Sequence, residues 1–196
     1  DKAMLGMHRA IIGHNRFATQ GIVSKRNAHP FDFDDLVGVH NGTLKNKYNL
    51  IDSKDFDVDS ENLYHHINQK GLRDAMNIVK GAWALVWWDK VEESINFLRN
   101  EERPLYLTRS VNGDTLFWAS ELWMLQAACS REDMKIEQPI ILQKDMHHSI
   151  CIDNMGKMSK VVVTPMEAKE PPEVTAFPFN KKGTYCDNHK HNVLTL

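Results

Sequence analysis

Ala82-Trp83-Ala84-Leu85-Val86-Trp87-Trp88 is the longest apolar run in the chain. It is far short of the about 20 residues a membrane-spanning helix needs, and its length is that of a strand. Further strands follow it at Ser94–Leu98, Leu105–Thr108, Thr115–Trp118, Ile140–Gln143, Ser149–Ile152 and Lys160–Val163, with one helix, Glu121 to Cys129, among them. Working upstream, Leu72, Ala75, Met76 and Val79 share one side of a helix over Arg73–Val79, which Gly81 stops. An earlier helix opens at Asp59-Ser60-Glu61 and places Leu63, Tyr64 and Ile67 on one face. Asp59 reads as its N-cap, because its side-chain oxygen can accept a first-turn N–H. Leu36–Val39 is a short strand stopped by His40-Asn41-Gly42, where Asn-Gly signals a turn. Ala10 to His14 reads as a buried strand that runs into polar Asn15 and Arg16. Two early helices and a series of antiparallel strands predict an α+β layered fold.

The bulk quantities agree with one globular domain. The chain has 196 residues, 42% hydrophobic and 26% charged, enough for a sizeable core. Its 24 basic and 26 acidic residues leave a net charge of −2. That balance excludes a nucleic-acid binder driven by bulk positive charge. Three cysteines, Cys129, Cys151 and Cys186, are too few and odd in number for a disulfide framework. They point to a reducing, cytoplasmic compartment. The N-terminus is too poor in apolar residues for a secretory signal. It also lacks an initiator methionine, so the chain is read as a processed or incompletely represented product. Pro165, Pro171, Pro172 and Pro178 mark the segment 165–196 as extended tail, which leaves a domain over 1–164.

Three segments place polar residues at the end of an apolar run: Gly13-His14-Asn15-Arg16-Phe17-Ala18-Thr19-Gln20-Gly21, Val39-His40-Asn41-Gly42 and Asp59-Ser60-Glu61. Singly each has a bland reading: a structural ion pair for Arg16, a hairpin turn for Asn41-Gly42, a helix cap for Asp59. Together they suit an L-amino-acid ligand. An arginine fork and a threonine hydroxyl match its carboxylate, and an aspartate matches its ammonium. If a side-chain amide is cleaved, the Asn41 NH2 and the Gly42 N–H can serve the tetrahedral oxyanion.

The same segments, with Asn27-Ala28-His29-Pro30, resemble the glutaminase domain of class II glutamine amidotransferases, which are N-terminal-nucleophile hydrolases. The nearest likeness is to the glucosamine-6-phosphate synthase type. Arg99-Asn100 with Pro104-Leu105-Tyr106, and Phe117-Trp118-Ala119-Ser120-Glu121, extend the similarity over about Ile11 to Ile152. The resemblance implies a four-layer αββα sandwich of two antiparallel sheets. It implies that Arg16 binds the glutamine α-carboxylate with Thr19 and Gln20 beside it, that Asn41 and Gly42 form the oxyanion hole, and that Asp59 holds the ammonium. His14, His29 and His40 are structural in this reading, since the family's base is not a histidine.

One departure stands out. The family's nucleophile is a cysteine at the first position of the mature chain, whose α-amino group is the base. Here Asp1 stands first, and none of the three cysteines can take that role. Either a segment with the cysteine precedes Asp1, the reading favoured here, or the chain is a relative that binds without hydrolysing. A cleaved N-terminal piece that stays docked is a variant of the first. The expected activity is hydrolysis of L-glutamine to glutamate and ammonia, the ammonia going to an unidentified synthase domain or partner. No cofactor, metal, nucleic acid or membrane is called for. Cys186, His189 and His191 fit no standard zinc spacing, and Asp32, Asp34 and Asp35 lack the glycine and glutamate of a calcium loop.

Overall fold

The computed structural model describes residues 9–15, 21–153 and 157–166, together with the backbone of 193–194. In chain order the elements are β1 (Phe31–Asp32), β2 (Leu36–Leu44), α1 (Asp59–Lys70), α2 (Leu72–Ile78), β3 (Gly81–Asp89), β4 (Ser94–Arg99), β5 (Tyr106–Arg109), β6 (Leu116–Ala119), α3 (Leu122–Arg131), β7 (Ile140–Ile141), β8 (Met146–Ile152), β9 (Met158–Pro165) and β10 (Val193–Leu194). Two 3-10 turns, Lys47–Asn49 and Ser53–Asp55, lie between β2 and α1.

Alternation along β3 organises the molecule. Trp83, Leu85 and Trp87 point to one side, where they meet Leu63, Tyr64 and Ile67 of α1 and Ala75 of α2. Ala84 and Val86 point to the other, into a second core shared with Val39, Ile95 and Phe97. That second core also contains Leu105, Leu107 and Leu142 from around the smaller sheet. Among the described residues, seven strands form the larger sheet in the order β1-β2-β3-β4-β8-β9-β10, and three form the smaller, β6-β5-β7. All pairings are antiparallel. α3 packs against β6. The layers are therefore helices, large sheet, small sheet and helix, the α+β sandwich expected from the sequence.

Close fit is visible where α1 meets β2. A Cβ on Gly38 would lie 2.3 Å from the Tyr64 ring, so the glycine makes the room that the ring fills. The Tyr64 hydroxyl then donates to the Val39 carbonyl at 2.6 Å and also faces the Val86 carbonyl at 3.2 Å. A buried phenol needs such acceptors.

Three local expectations are corrected. Asn41-Gly42 is not a turn: β2 runs through it to Leu44, with Asn41 opposite Ala84 and Gly42 opposite Trp83. A full ladder against β3 outweighs the local turn preference. Asp59 is not the N-cap but the first residue of α1, with Val58 in the cap position. Ala10–His14 is not a strand. Ala10 and Ile12 do pack against the second core while Ile11 is exposed, but no ladder partner joins them among the described residues.

Candidate active site

β2 and the start of α1 bring two of the three polar segments together. His40 Nδ1 lies 2.9 Å from Ser60 Oγ. The Leu44 N–H donates to Asp59 Oδ2 at 2.7 Å, and the Ser60 N–H donates to Asp59 Oδ1 at 3.0 Å. Asp59 is 3% exposed. It is thus a buried carboxylate with backbone donors on both oxygens and, among the described residues, no cationic side chain in an ion pair with it. The N-terminal end of α1 favours its charge, and each oxygen keeps a further acceptor direction for a ligand.

The other two residues lie on the adjoining strand segment. Asn41 shares strand parity with Val39, which packs between the sheets, so its side chain is directed to that side. Gly42 has φ 154°, and a Cβ there would lie 1.9 Å from the Ala82 carbonyl oxygen. Only glycine lets β2 approach β3 this closely. Behind it, the Asn100 amide holds β3, accepting from the Trp83 N–H at 3.2 Å and donating to the Gly81 carbonyl at 2.6 Å.

The first segment enters through His14. Burial pushes the His40 imidazole pKa below its usual value, and His14 and Arg103 add to this by their charge. Asp59 and the Ala82 carbonyl oppose them. His40 therefore has His14, two residues before Arg16, within electrostatic reach. The His14 and His29 rings lie 4.1 Å apart, tilted by 45°, and His29 meets Phe31 edge-on at 4.7 Å. Arg16, Thr19 and Gln20 lie outside the described residues, as do Cys186, His189 and His191.

The connection that delivers Asp59 is held by α1 itself. His66 Nδ1 accepts the Ile51 N–H at 3.1 Å, so Nε2 carries the proton it donates to Asp74 at 2.8 Å. The Asn62 amide donates to the Ile51 carbonyl at 2.7 Å, and His65 meets Asp52 at 2.9 Å. Glu61, beside the site, has its carboxyl pKa raised, chiefly by burial, with Asp57 adding and Arg26 and His65 opposing.

Neither described cysteine has the environment of a nucleophile. Burial pushes the thiols of Cys129 and Cys151 up, away from the reactive thiolate. A cavity of about 650 Å³ lies elsewhere, lined by Ile11, Phe117, Trp118, Leu125, Cys129 and Met158 among others; Asn41, Gly42 and Asp59 are not on its walls. Ser60 was read from the sequence only as a member of its motif. Its bond to His40 joins residues 20 apart, a pairing that no local pattern announces.

Comparison with known proteins agrees with this picture. The Helicobacter pylori protein named glutamine–fructose-6-phosphate aminotransferase (isomerizing) is 25% identical over 166 residues, 76% of this chain and 26% of its own length. Its namesake in Methanocaldococcus jannaschii is 28% identical over 174 residues, 74% of this chain and 16% of its own. The chain spans about a quarter of the length of the first of these relatives. Among solved structures, the Bacillus subtilis glutamine phosphoribosylpyrophosphate amidotransferase shares the fold with TM-score 0.57 at 20% identity, covering 79% of this chain and 34% of that one. The model of the glutamine amidotransferase domain matches residues 14–127, more than half of the chain. With that match, these sheets and this pinned pair of segments, the chain belongs to the glutamine amidotransferase domain family.

Proposed function

We propose that this domain binds L-glutamine and hydrolyses its side-chain amide, using an N-terminal cysteine carried on a segment ahead of Asp1. The observation that carries the proposal is the buried Asp59 carboxylate, tied by the Leu44 N–H to the strand that carries Asn41 and Gly42 and without an ion-paired cation among the described residues. A substrate ammonium supplies that charge. Arg16, with Thr19 and Gln20 beside it, takes the α-carboxylate. The thiol, deprotonated by the chain's α-amino group, attacks the amide carbon. Charge collects on the carbonyl oxygen and is met by the Asn41 NH2 and the Gly42 N–H. Collapse expels ammonia, which takes the proton from the α-ammonium group, and leaves a glutamyl thioester. Water then releases glutamate and restores the thiol. The ammonia passes to an acceptor on a synthase domain or partner.

The test is the intact mass of the full-length protein before and after an electrophilic glutamine analogue. A single adduct on a cysteine ahead of Asp1 supports the proposal, and an unmodified protein that still binds glutamine would replace it with a binding role. In steady-state kinetics, Asn41→Ala lowers kcat by about 100- to 1,000-fold. Arg16→Ala mainly raises KM. Normal kinetics in both variants would remove the assignment.

A further inference from the structure

Two hydrogen bonds bracket the stretch of β2 that carries Asn41 and Gly42. One is at His40, to Ser60 Oγ; the other is at Leu44, whose N–H reaches Asp59. The two partners are consecutive residues at the start of α1. His40 is 2% exposed and Ser60 3%. His40 Nε2 faces the Ala82 carbonyl at 3.4 Å, and a carbonyl can only accept, so this nitrogen holds the proton and Nδ1 accepts from the Ser60 hydroxyl. The same ring edge abuts Gly42: a Cβ there would come within 2.7 Å of His40 Nε2. The imidazole is thus wedged between the helix that presents Asp59 and the backbone that presents Gly42.

An apolar side chain would fill this space at less cost, because a buried imidazole forfeits hydration that its hydrogen bonds only offset. What the polar pair adds is a defined separation. We infer that His40 and Ser60 are positioning residues, holding the Asn41-Gly42 donors at a fixed distance from Asp59. A glutamine anchored by its ammonium then presents its amide oxygen to both donors at once. This inference rests on the function proposed above. It assigns neither residue any contact with the substrate.

Glutaminase kinetics of the full-length protein test it with Ser60→Ala and Ser60→Thr. Loss of the hydroxyl lowers kcat about tenfold or more, since misplacement acts on the oxyanion contacts of the transition state. KM for glutamine stays within about twofold, because Arg16 and Asp59 remain. Ser60→Thr, which keeps the hydroxyl, restores most of kcat. Nitrogen NMR of the His40 ring shows a protonated Nε2 and a hydrogen-bonded Nδ1 in the wild type and in Ser60→Thr, and loss of the Nδ1 bond in Ser60→Ala. If Ser60→Ala does not fold, Ser60→Cys is read the same way, as a near-isostere with a weak donor. A Ser60→Ala protein with lowered Tm but wild-type kcat would overturn the inference, and so would failure of Ser60→Thr to rescue. In either case an active wild type leaves the glutaminase reading standing. A wild type that neither hydrolyses nor binds glutamine defeats both.

Discussion

Single side chains in this molecule differ in whether the protein itself completes their bonding. Asp59 accepts a backbone N–H on each oxygen and has no ion-paired cation among the described residues. Its neutral isostere, whose amide nitrogen cannot accept, loses one of those bonds along with the charge and should lower Tm as well as weaken ligand binding. Asp59→Asn is expected to raise KM for glutamine by about 10- to 100-fold, the loss of one charge-assisted hydrogen bond, with a much smaller change in kcat. His148 is a contrasting case. Burial pushes its imidazole down to about 4, against a weaker pull from the Met146 carbonyl. The unfolded chain therefore takes up this proton near pH 6.5, and the folded protein only near pH 4. Between those values the unfolded state binds more protons, so stability falls as the pH is lowered. The contribution is intact above about pH 6.5, and about 3 kcal/mol is lost by about pH 4. Urea midpoints measured across this window should show a shallower slope in His148→Asn. Some slope should remain, because burial lowers His40 in the same direction.

At the scale of elements, β2 has two parts to play: it is the full-length ladder partner of β3 and the carrier of the proposed oxyanion donors. Gly42→Ala places a methyl group against the Ala82 carbonyl, and should cost about 1–3 kcal/mol in urea unfolding and a larger share of activity. Gly38→Ala meets the Tyr64 ring instead; its penalty should be similar in size but confined to stability, read as a lower Tm with unchanged KM. The long strands were legible because their apolar composition suits burial on both faces: Ala82–Trp88 became Gly81–Asp89 and Ser94–Leu98 became Ser94–Arg99. Asn41-Gly42 reads as a turn because a turn preference is local, whereas the ladder to β3 is set by Ala84 and Trp83, more than forty positions away. Asp59 was placed one residue early in its helix for a related reason: its carboxylate bonds outward to Leu44 as well as to its own first turn. The segment Ala10–His14 shows that strand-like burial is not a strand unless a backbone partner is at hand. Asn41, Gly42 and Asp59 are grouped by their residue chemistry alone, and that grouping remains a proposal. The His40–Ser60 link was not legible, since it exists only once strand and helix are packed.

On the scale of the whole molecule, stability should be unevenly spread. β3 and β4 lie inside the large sheet with partners on both sides, whereas β5 is joined to β7 through only two residue pairs. Amide hydrogen exchange should therefore be slowest in β3 and β4, tracking global unfolding, and faster by about 10-fold or more in β6 and β7. Uniform protection across both sheets would refute this. The strand order has a further consequence, in time. β4 does not pair with its successor in the chain but with β8, Phe97 meeting His148. The small sheet and α3 are thus contained in one loop of roughly fifty residues that must close before the large sheet is continuous. β2, β3 and β4 can zip up as neighbours, while the β4–β8 seam waits on a distant encounter. Such non-local pairing slows folding, and it makes that seam the natural place for the rate-limiting step. Yet closure entropy grows only logarithmically with length. Residues added to the exposed turn at Val111–Gly113 should lengthen the wait very little, so the small sheet can vary in evolution at low kinetic cost while the strands that carry the site stay fixed.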